Sequence, residues 1–253
     1  MIENVSILVN ISTSYIDIAA LFDELMIKNW KDCPYTIYYL CDSRPSIDLH
    51  GEIIINELQK NPLKKIICAA EKINSFYYIC LLGDAFISDK VSNEEVSDFI
   101  NTMRDMQINY CNLYRNHYKK TDVLFSNITK SELYGFAFVE FIASKEFLKN
   151  VLSRFNSDLE FENYYNEKSM KGKNKECYDD CVRANLNLLN ILHGIQKGKW
   201  VRDTKKKIDK ISDLAVKNKR PIMSRTDCFY NELFDILLNG RIYKIYKKIK
   251  GKL

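Results

Sequence analysis

The sequence predicts an α/β fold with a mostly parallel central sheet and helices on both faces. Short runs of β-branched and aromatic residues alternate with stretches whose apolar residues recur at helical spacing. This alternation is typical of parallel sheets, in which each strand is joined to the next through a helix. The length of 253 residues suits a single hydrophobic core.

The first unit is a strand, a helix and a strand. Residues 4–11 (NVSILVNI) and 36–41 (TIYYLC) are strand-like runs, and residues 15–30 between them have helical apolar spacing. Residues 56–73 predict a second helix, and residues 76–82 predict a third buried strand, ending before Gly83 and Asp84.

The second half is predicted to contain more helix. Residues 93–106 have helical spacing and residues 108–126 are mixed. Residues 144–154 predict a helix with Ser144 as its N-cap, and the chain from residue 205 onward is helical and basic.

Composition excludes several classes of protein. Hydrophobic residues make up 46% and charged residues 28%, so intrinsic disorder is not expected. No apolar run reaches the ~18 to 20 residues of a membrane span, and the first residues carry an acid where a signal peptide is basic. We therefore expect a cytoplasmic protein.

The eight cysteines predict neither disulfides nor zinc. Cys68 and Cys80 lie in apolar runs and are predicted core residues. Cys177 and Cys181 form a Cys-x3-Cys pair with no second pair at zinc-site spacing, and a reducing compartment disfavours disulfides.

The net charge of +5 is unevenly distributed. Residues 241–253 (RIYKIYKKIKGKL) hold six Lys/Arg and no acid, so the remaining chain is close to neutral. No Gly-rich phosphate loop or nucleic-acid motif is present, and nucleic acid is not an expected partner. The isoleucines of this tail share one helical face, which predicts an interfacial helix on an anionic membrane or, alternatively, a solvated C-terminal helix.

Acids follow two of the predicted strands. Asp42 lies in YYLCDS just after the second predicted strand, and Asp84 lies in FYYICLLGDAFISDKV just after an apolar run. Ligands of parallel sheets bind beyond the carboxyl ends of the strands, so these acids are candidate site residues. The structural alternative is that Asp84 and Asp89 cap a turn or helix.

These segments resemble a family of bacterial glycosyltransferases of the GT-A fold that assemble surface polysaccharides, such as capsule and lipopolysaccharide. FYYICLLGDAFISDKV is similar to the family's strand, acid, acid and aromatic segment, with Gly83 at the first acidic place. YGFAFVEFIASKEFLKNVL, DLEFENYY and HGIQKGKW are similar to its acceptor-side strand, its Glu-aromatic-Glu element and its closing element. The resemblance covers most of residues 4–203.

The resemblance implies a GT-A domain over residues 1–203, with a donor half at about 1–92 and an acceptor half at about 93–203. Residues 204–253 would form a helical extension. The implied reaction is the transfer of a sugar from a nucleotide diphosphate sugar to a glycan or lipid-linked acceptor, with inversion at the anomeric carbon. A UDP-sugar is the favoured donor. The enzyme would then work on the inner face of the plasma membrane.

The resemblance also implies roles for particular residues. Glu162, or failing that Glu160, would be the general base, with Glu140 and Asp179 as the next candidates. Mg²⁺ or Mn²⁺ would bind Asp84 with His193, or with an acid in residues 178–180. The residues expected to contact the nucleotide sugar are Asp42, Asp84, Lys197, Lys199 and Arg202.

Each assignment has an alternative. The two glutamates could be solvated charges, His193 a capping group, and the lysines a solvated basic turn. The whole chain could be a non-catalytic protein that binds sugar or nucleotide in the same pathway, because Gly83 removes an acid.

Overall fold

The computed structural model describes residues 5–57, 59–114, 123–171 and 180–228, and it confirms the α/β fold. The strands are β1 (Val5–Ile11), β2 (Thr36–Cys41), β3 (Glu52–Ile55), β4 (Tyr77–Leu82), β5 (Ala85–Ile87), β6 (Tyr110–Asn112), β7 (Phe125–Asn127), β8 (Phe141–Ser144), β9 (Cys181–Ala184), β10 (Ile191–His193), β11 (Ile195–Gln196) and β12 (Lys199–Trp200). The helices are α1 (Ile16–Asn29), α2 (Pro62–Lys72), α3 (Asn93–Asp105), α4 (Lys145–Asn150), α5 (Asp158–Met170), α6 (Arg202–Ile208) and α7 (Asp213–Lys217).

Among these residues, eight strands form one sheet in the order β3-β2-β1-β4-β8-β6-β9-β7. The pairs β3–β2, β2–β1, β1–β4 and β6–β9 are parallel, whereas β8 runs antiparallel to both β4 and β6. The carboxyl ends of β1, β2, β4 and β6 and the start of β8 therefore meet at one edge of the sheet, here called the carboxyl edge. Two small antiparallel pairs, β5–β10 and β11–β12, extend this edge.

The sheet lies between two hydrophobic cores because side chains alternate along each strand. Ile7 and Val9 of β1 face one core, in which α1 supplies Phe22 and Leu25. Leu8 faces the other core, together with residues of α2 and α5. All seven residues of β1 are buried, as expected of a central parallel strand.

Three predictions about the elements need correction. The strand β3 was not predicted, because its sequence EIII is short, carries an acid and is mostly exposed. The helix expected at 56–73 begins only at Pro62, because Asn61 caps it by accepting hydrogen bonds from the amides of Leu63 and Lys64. Cys68 is partly exposed and is not a core residue.

Other predictions are confirmed. The helix α3 spans 93–105, and Ser144 caps α4 by accepting a hydrogen bond from the amide of Phe147 at 3.0 Å. No helix in the described ranges is both long and apolar enough to cross a membrane. The basic tail at 241–253, with Cys177 and Asp179, lies outside the described residues.

Candidate active site at the carboxyl ends of the parallel strands

A cavity of about 220 Å³ opens at the carboxyl edge of the sheet. It lies between the ends of β1 and β4 and the start of α2. Its lining residues are Asn10, Ile11, Ser12, Tyr15, Ala19, Lys60, Pro62, Lys65, Leu82, Gly83, Asp84 and Ile195. This is the position at which parallel α/β sheets bind ligands.

A buried lysine joins the strand ends beneath this cavity. The Lys65 Nζ of α2 donates hydrogen bonds to the carbonyls of Ile11 at 2.8 Å and Leu40 at 3.2 Å, and to Asp42 Oδ1 at 2.7 Å. Its side chain is only 3% exposed, so Asp42 is its counter-ion. Burial acts to raise the pKa of Asp42, but the hydrogen bond and charge of Lys65 outweigh it and hold the pKa below its usual value.

A second hollow, of about 100 Å³, is lined by Cys41 and Ser43, the chain neighbours of Asp42. The Asp42 Oδ2 accepts a hydrogen bond from the amide of Thr13 at 3.2 Å, and the hydroxyls of Thr13 and Ser43 lie 3.0 Å apart. Thr13, Ser43 and Arg44 line this hollow. Asp42 lines neither cavity itself, but its hydrogen-bond partners Lys65 and Thr13 line the first and the second, respectively.

Gly83 fits closely against the neighbouring strand. Its amide donates to the carbonyl of Asn10 at 2.9 Å, and a Cβ at this position would lie 3.2 Å from that oxygen. A side chain in the first acidic place would therefore crowd β1 and the cavity. The chain therefore departs from the family pattern at Gly83, where there is little room for an acidic side chain.

Asp84 and His193, which are 109 positions apart, come together at this edge. The strand β10 pairs with β5 so that His193 lies opposite Ala85, and the carbonyl of Asp84 accepts a hydrogen bond from the amide of Gly194 at 2.9 Å. Burial raises the pKa of Asp84, the positive charge of His193 opposes this, and the charge of Glu140 adds to it. The prediction that Asp84 and His193 share a site is consistent with this arrangement.

His193 is paired with a third buried side chain. Its Nε2 lies 2.7 Å from Glu140 Oε1, and the Glu140 side chain is 3% exposed. The contact has the distance of an ion pair but not the alignment of a hydrogen bond, and Glu140 Oε2 is buried with no hydrogen-bond partner. Burial acts to lower the pKa of His193, but the charges of Glu140 and Asp84 raise it overall, which favours the imidazolium.

This set of side chains does not fit a cation held by protein ligands. Within the described ranges, no group of three His, Cys, Asp or Glu side chains converges as a metal site. The imidazole expected to bind the cation is occupied by Glu140. Asp180 cannot complete the site, because it accepts a hydrogen bond from Asn109 Nδ2 at the opposite edge of the sheet. The binding of Mg²⁺ or Mn²⁺ stays a prediction.

Lys197 lies at the tip of the β11–β12 hairpin. It has φ of 52°, and the following Gly198 has φ of 77°, so both residues adopt the left-handed conformation of a tight two-residue turn. A Cβ on Gly198 would lie 3.9 Å from Tyr15 Oη, and Tyr15 lines the cavity. The exposed Lys197 therefore stands beside the cavity mouth.

The other two predicted phosphate contacts are engaged elsewhere. Lys199 Nζ pairs with Asp227 Oδ2 at 3.1 Å, and Arg202 donates to the carbonyl of Met223 at 2.8 Å. Both side chains hold the chain segment that follows α7. The structure thus brings Lys197, but not Lys199 or Arg202, to the cavity mouth in this arrangement.

Glu160 and Glu162 lie on a helix, so they diverge. Glu160 is exposed and caps the start of α5, where its Oε2 accepts a hydrogen bond from the amide of Asn156 at 2.7 Å. Glu162 is half-buried and its Oε1 accepts a hydrogen bond from the amide of Phe138 at 2.7 Å. Burial raises the pKa of Glu162, the hydrogen bond from Phe138 opposes this, and the charge of Asp158 adds to it.

Glu162 does not line the cavity, but its helix begins close to the carboxyl edge. Asp158, one turn earlier in α5, accepts a hydrogen bond from Asn61 Nδ2 at 3.2 Å. Asn61 caps α2, next to Lys60 and Pro62 of the cavity. The start of α5 therefore borders the cavity rim.

Three cavity residues were missed by the sequence analysis. Lys60 and Lys65 stand in a lysine-rich helical stretch with no feature that separates them from solvated lysines. Asn10 is 6% exposed, donates from Nδ2 to the carbonyl of Pro62 at 3.2 Å, and has no partner for its Oδ1. A polar residue within the buried strand β1 was the only available signal.

The sequence matches no protein-family model and no curated protein. The structure is similar to a CMP:2-keto-3-deoxy-manno-octonic acid synthetase in complex with CTP. The two share 9% identical residues and a TM-score of 0.50, over 83% of this chain and 98% of the other. A glycosyltransferase involved in the glycosylation of the major capsid of PBCV-1 is similar at 19% identity and a TM-score of 0.38, over 60% of this chain and 66% of its own.

A cytidylyltransferase from Leptospira borgpetersenii is similar at 12% identity and a TM-score of 0.40, over 70% of this chain and 74% of its own. The fold is similar to that of the synthetase. At such low identity, this likeness concerns the fold alone, and the argument for it rests on the synthetase.

Proposed function

We propose that the protein is a glycosyltransferase that transfers a sugar from a nucleoside diphosphate sugar to a glycan or lipid-linked glycan of a bacterial surface polysaccharide, with inversion. The observation that carries this proposal is the cavity at the ends of β1 and β4, which is lined by Asp84 and by Lys65, the ion-pair partner of Asp42. A UDP-sugar is the favoured donor.

The nucleoside is assigned to the Asp42 side. The second hollow offers the hydroxyls of Thr13 and Ser43, and the nearby Asp42 carboxylate would accept hydrogen bonds from a ribose. The segment between β1 and α1, STSY, has no glycine. Backbone cradles for triphosphates are usually glycine-rich, so this segment favours a nucleotide sugar over a nucleoside triphosphate as substrate.

The diphosphate is assigned to the lysine side. Lys60 lines the cavity and Lys197 stands at its mouth, and neither has an ion-pair partner among the described residues. When the bond between the anomeric carbon and the diphosphate oxygen breaks, its electron pair goes to that oxygen. A lysine ammonium nearby stabilises the developing charge.

The proton of the acceptor hydroxyl is assigned to Glu162. Its raised pKa makes the carboxylate a stronger base, and it is more accessible than Glu140. The acceptor oxygen attacks the anomeric carbon from the face opposite the diphosphate while Glu162 takes its proton. Glu160 is less suited because it is exposed to water and points about 200° away from Glu162 around the helix.

A second candidate function rests on a specific observation. Gly83 stands where the related enzymes are expected to carry an acid, which favours a non-catalytic protein that binds a nucleotide sugar as a scaffold of the same pathway. Binding would be retained in such a protein and turnover lost.

Calorimetry with UDP-, dTDP- and GDP-sugars and with CMP, in EDTA and in Mn²⁺, tests the proposal. We expect a UDP-sugar to bind with a Kd of about 1 mM or tighter. Release of UDP from the bound donor would then be measured, and its absence would favour the scaffold. The transferase proposal fails if no donor binds in either condition, and binding in Mn²⁺ alone would show that a cation completes the site.

A further inference from the structure

The cavity contains a buried hydrogen-bond acceptor that lacks a donor. Asn10 of β1 lines the cavity and is only 6% exposed. Its Oδ1 is buried and accepts no hydrogen bond from any residue that the structure describes. Ser6, the other polar residue of β1, shares a hydrogen bond with Ser75 at 2.6 Å. A buried acceptor without a donor costs free energy and is rare in folded proteins.

The orientation of this side chain is fixed. Asn10 Nδ2 donates to the carbonyl of Pro62 at 3.2 Å. If the amide oxygen and nitrogen were exchanged, two acceptor oxygens would face each other, so this contact determines which atom is which. The backbone of Asn10 is paired on both sides, opposite Leu40 of β2 and Leu82 of β4. The free acceptor is therefore held in place before a ligand binds.

The buried ammonium in the same cavity lining does not satisfy this oxygen. Lys65 Nζ has three N–H groups. It donates to the carbonyls of Ile11 and Leu40 and to the Asp42 carboxylate. All three hydrogens of Lys65 are thus used, and the hydrogen for Asn10 Oδ1 has to come from a group that enters the cavity.

The chemistry of a nucleoside diphosphate sugar indicates which of its parts could supply this hydrogen. The oxygens of the esterified diphosphate are acceptors only. The nucleoside is assigned to the second hollow, beside Thr13 and Ser43. A sugar carries several hydroxyl groups, each of which can donate. A cation is disfavoured as the partner of Oδ1, because Lys60 and Lys65 line the same cavity.

We propose that Asn10 is a specificity-determining residue whose Oδ1 accepts a hydrogen bond from one hydroxyl of the donor sugar. This inference rests on the proposed function and adds to it the part of the substrate that the cavity recognises. A site built to bond a hydroxyl strongly rejects an analogue without it, since the protein acceptor then stays buried and unpaired. Asn10 therefore selects sugars that keep the hydroxyl at one ring position.

Asn10→Leu removes the acceptor and keeps a side chain of similar size. Calorimetry on the full chain would compare UDP with UDP-glucose, UDP-galactose and UDP-N-acetylglucosamine. We expect the variant to bind the preferred UDP-sugar about tenfold or more weakly than wild type does, and to bind UDP within about twofold of wild type.

Deoxyfluoro analogues of the preferred sugar identify the hydroxyl without altering the protein. Fluorine replaces a hydroxyl at similar size but has no hydrogen to donate. One analogue in the series should bind wild type about tenfold more weakly than the parent sugar does. Asn10→Leu should bind that analogue and the parent within about twofold of each other, because the contact is already absent in this variant.

The stability of Asn10→Leu separates a role in binding from a role in folding. The variant loses a buried unpaired acceptor, so its Tm should lie within about 2 °C of wild type or above it. The Pro62 carbonyl, which loses the Nδ2 donor, lies in the first turn of α2, where an α-helix supplies a second donor from the amide four residues later.

Asn112 is the matched control for stability. It is 3% exposed at the end of β6 and has partners at both ends of its amide. Its Oδ1 accepts from the amide of Tyr114 at 2.7 Å, and its Nδ2 donates to the carbonyls of Tyr134 and Gly135 at 3.0 and 2.9 Å. Asn112→Leu should therefore lower Tm by about 5 °C or more.

Four results would overturn the inference. UDP-sugar binding that Asn10→Leu leaves unchanged would overturn it alone and keep the proposed function. An equal loss for UDP and for the UDP-sugar would assign the hydrogen to the nucleotide. A loss seen in Mn²⁺ but not in EDTA would assign Oδ1 to a cation. If wild type binds no nucleoside diphosphate sugar, the proposed function fails and this inference fails with it.

Discussion

At the scale of single residues, Lys197 is held in a conformation that its own chemistry disfavours. A non-glycine residue in the left-handed region costs about 1 to 2 kcal/mol, and Lys197 has no packing contact that offsets this because its side chain is exposed. Strain of this kind is typical of functional positions. Under the proposed function, this strain would be kept for the charge that Lys197 places beside the cavity mouth.

Lys197→Asn removes the charge at this position and also relieves the backbone strain, and the two effects are measured separately. Asparagine tolerates the left-handed conformation, so Tm should stay equal or rise, by up to about 4 °C. Loss of the ammonium should weaken donor binding by about tenfold, measured by calorimetry. Lys199→Asn is the control and should leave donor affinity unchanged, since Lys199 pairs with Asp227. Equal affinity in both variants and wild type would remove Lys197 from the diphosphate site.

The assignment of the base is also a single-residue question. Glu162→Gln should lower the rate of UDP release from a saturating donor by about 10² to 10⁴-fold, with donor Kd within about twofold of wild type. Glu160→Gln should have nearly wild-type turnover, because glutamine also serves as a cap at this position. A large loss in Glu140→Gln with none in Glu162→Gln would move the base to the pair with His193.

The sequence alone predicted Asp42, Asp84 and His193 as site residues, and the structure places all three at the carboxyl edge. Acids directly after buried strands are recognisable, because a strand end is a defined position in the sequence. Lys65 and Asn10 gave no such signal. Their roles depend on which carbonyls and cavities lie across the fold from them.

At the scale of elements, Lys65 fastens α2 to the ends of β1 and β2. One ammonium satisfies two strand-end carbonyls and the Asp42 carboxylate in a place with little access to water. Removing one partner of a buried pair leaves the other charge uncompensated. The position of Asp42 beside the cavity is therefore set by a helix.

Lys65→Met should lower the free energy of unfolding by about 3 to 5 kcal/mol, measured by urea denaturation at neutral pH. Adding Asp42→Asn should recover part of this loss, because the unpaired carboxylate is then absent. Lys64→Met, on the adjacent and partly exposed residue, is the control and should change stability little. If the stability losses of Lys65→Met and Asp42→Asn simply add in the double variant, the two charges do not interact.

The same pair predicts a pH dependence. The pKa of Asp42 is lower in the folded protein than its usual value of 3.8, so its ion pair stabilises the fold above that value. This stability is lost as the pH falls through the folded pKa. The stability difference between wild type and Asp42→Asn should therefore shrink between about pH 5 and pH 3.

The elements were predicted best where local signals were strong. Capping by Ser144 and the helical spacing of residues 93–106 identified two helices correctly. The strand β3 was missed because its edge position requires no alternation of buried and exposed residues. The sequence of the DLEFENYY segment was compatible with a strand or with a helix. The structure has a helix here, which Ser157 caps and in which Phe161 is buried.

At the scale of the whole molecule, charge is segregated from the rest of the fold. The +5 of residues 202–228 equals the charge of the complete chain, and the tail at 241–253 adds six more basic residues. The excess of positive charge therefore lies in the C-terminal part of the sequence.

The sequence by itself determined the fold class, the first strand-helix-strand unit, the acids at the strand ends and the excess of lysine in the last quarter of the chain. These properties are local or periodic, and they can be recognised without a partner. The tertiary structure decided that Glu140 pairs with His193, that Lys65 neutralises Asp42, and that Lys199 and Arg202 bind the 223–227 segment. These contacts join residues that are 21 to 53 positions apart in the sequence. They form because desolvated charges must find partners wherever the packed sheet and helices place them.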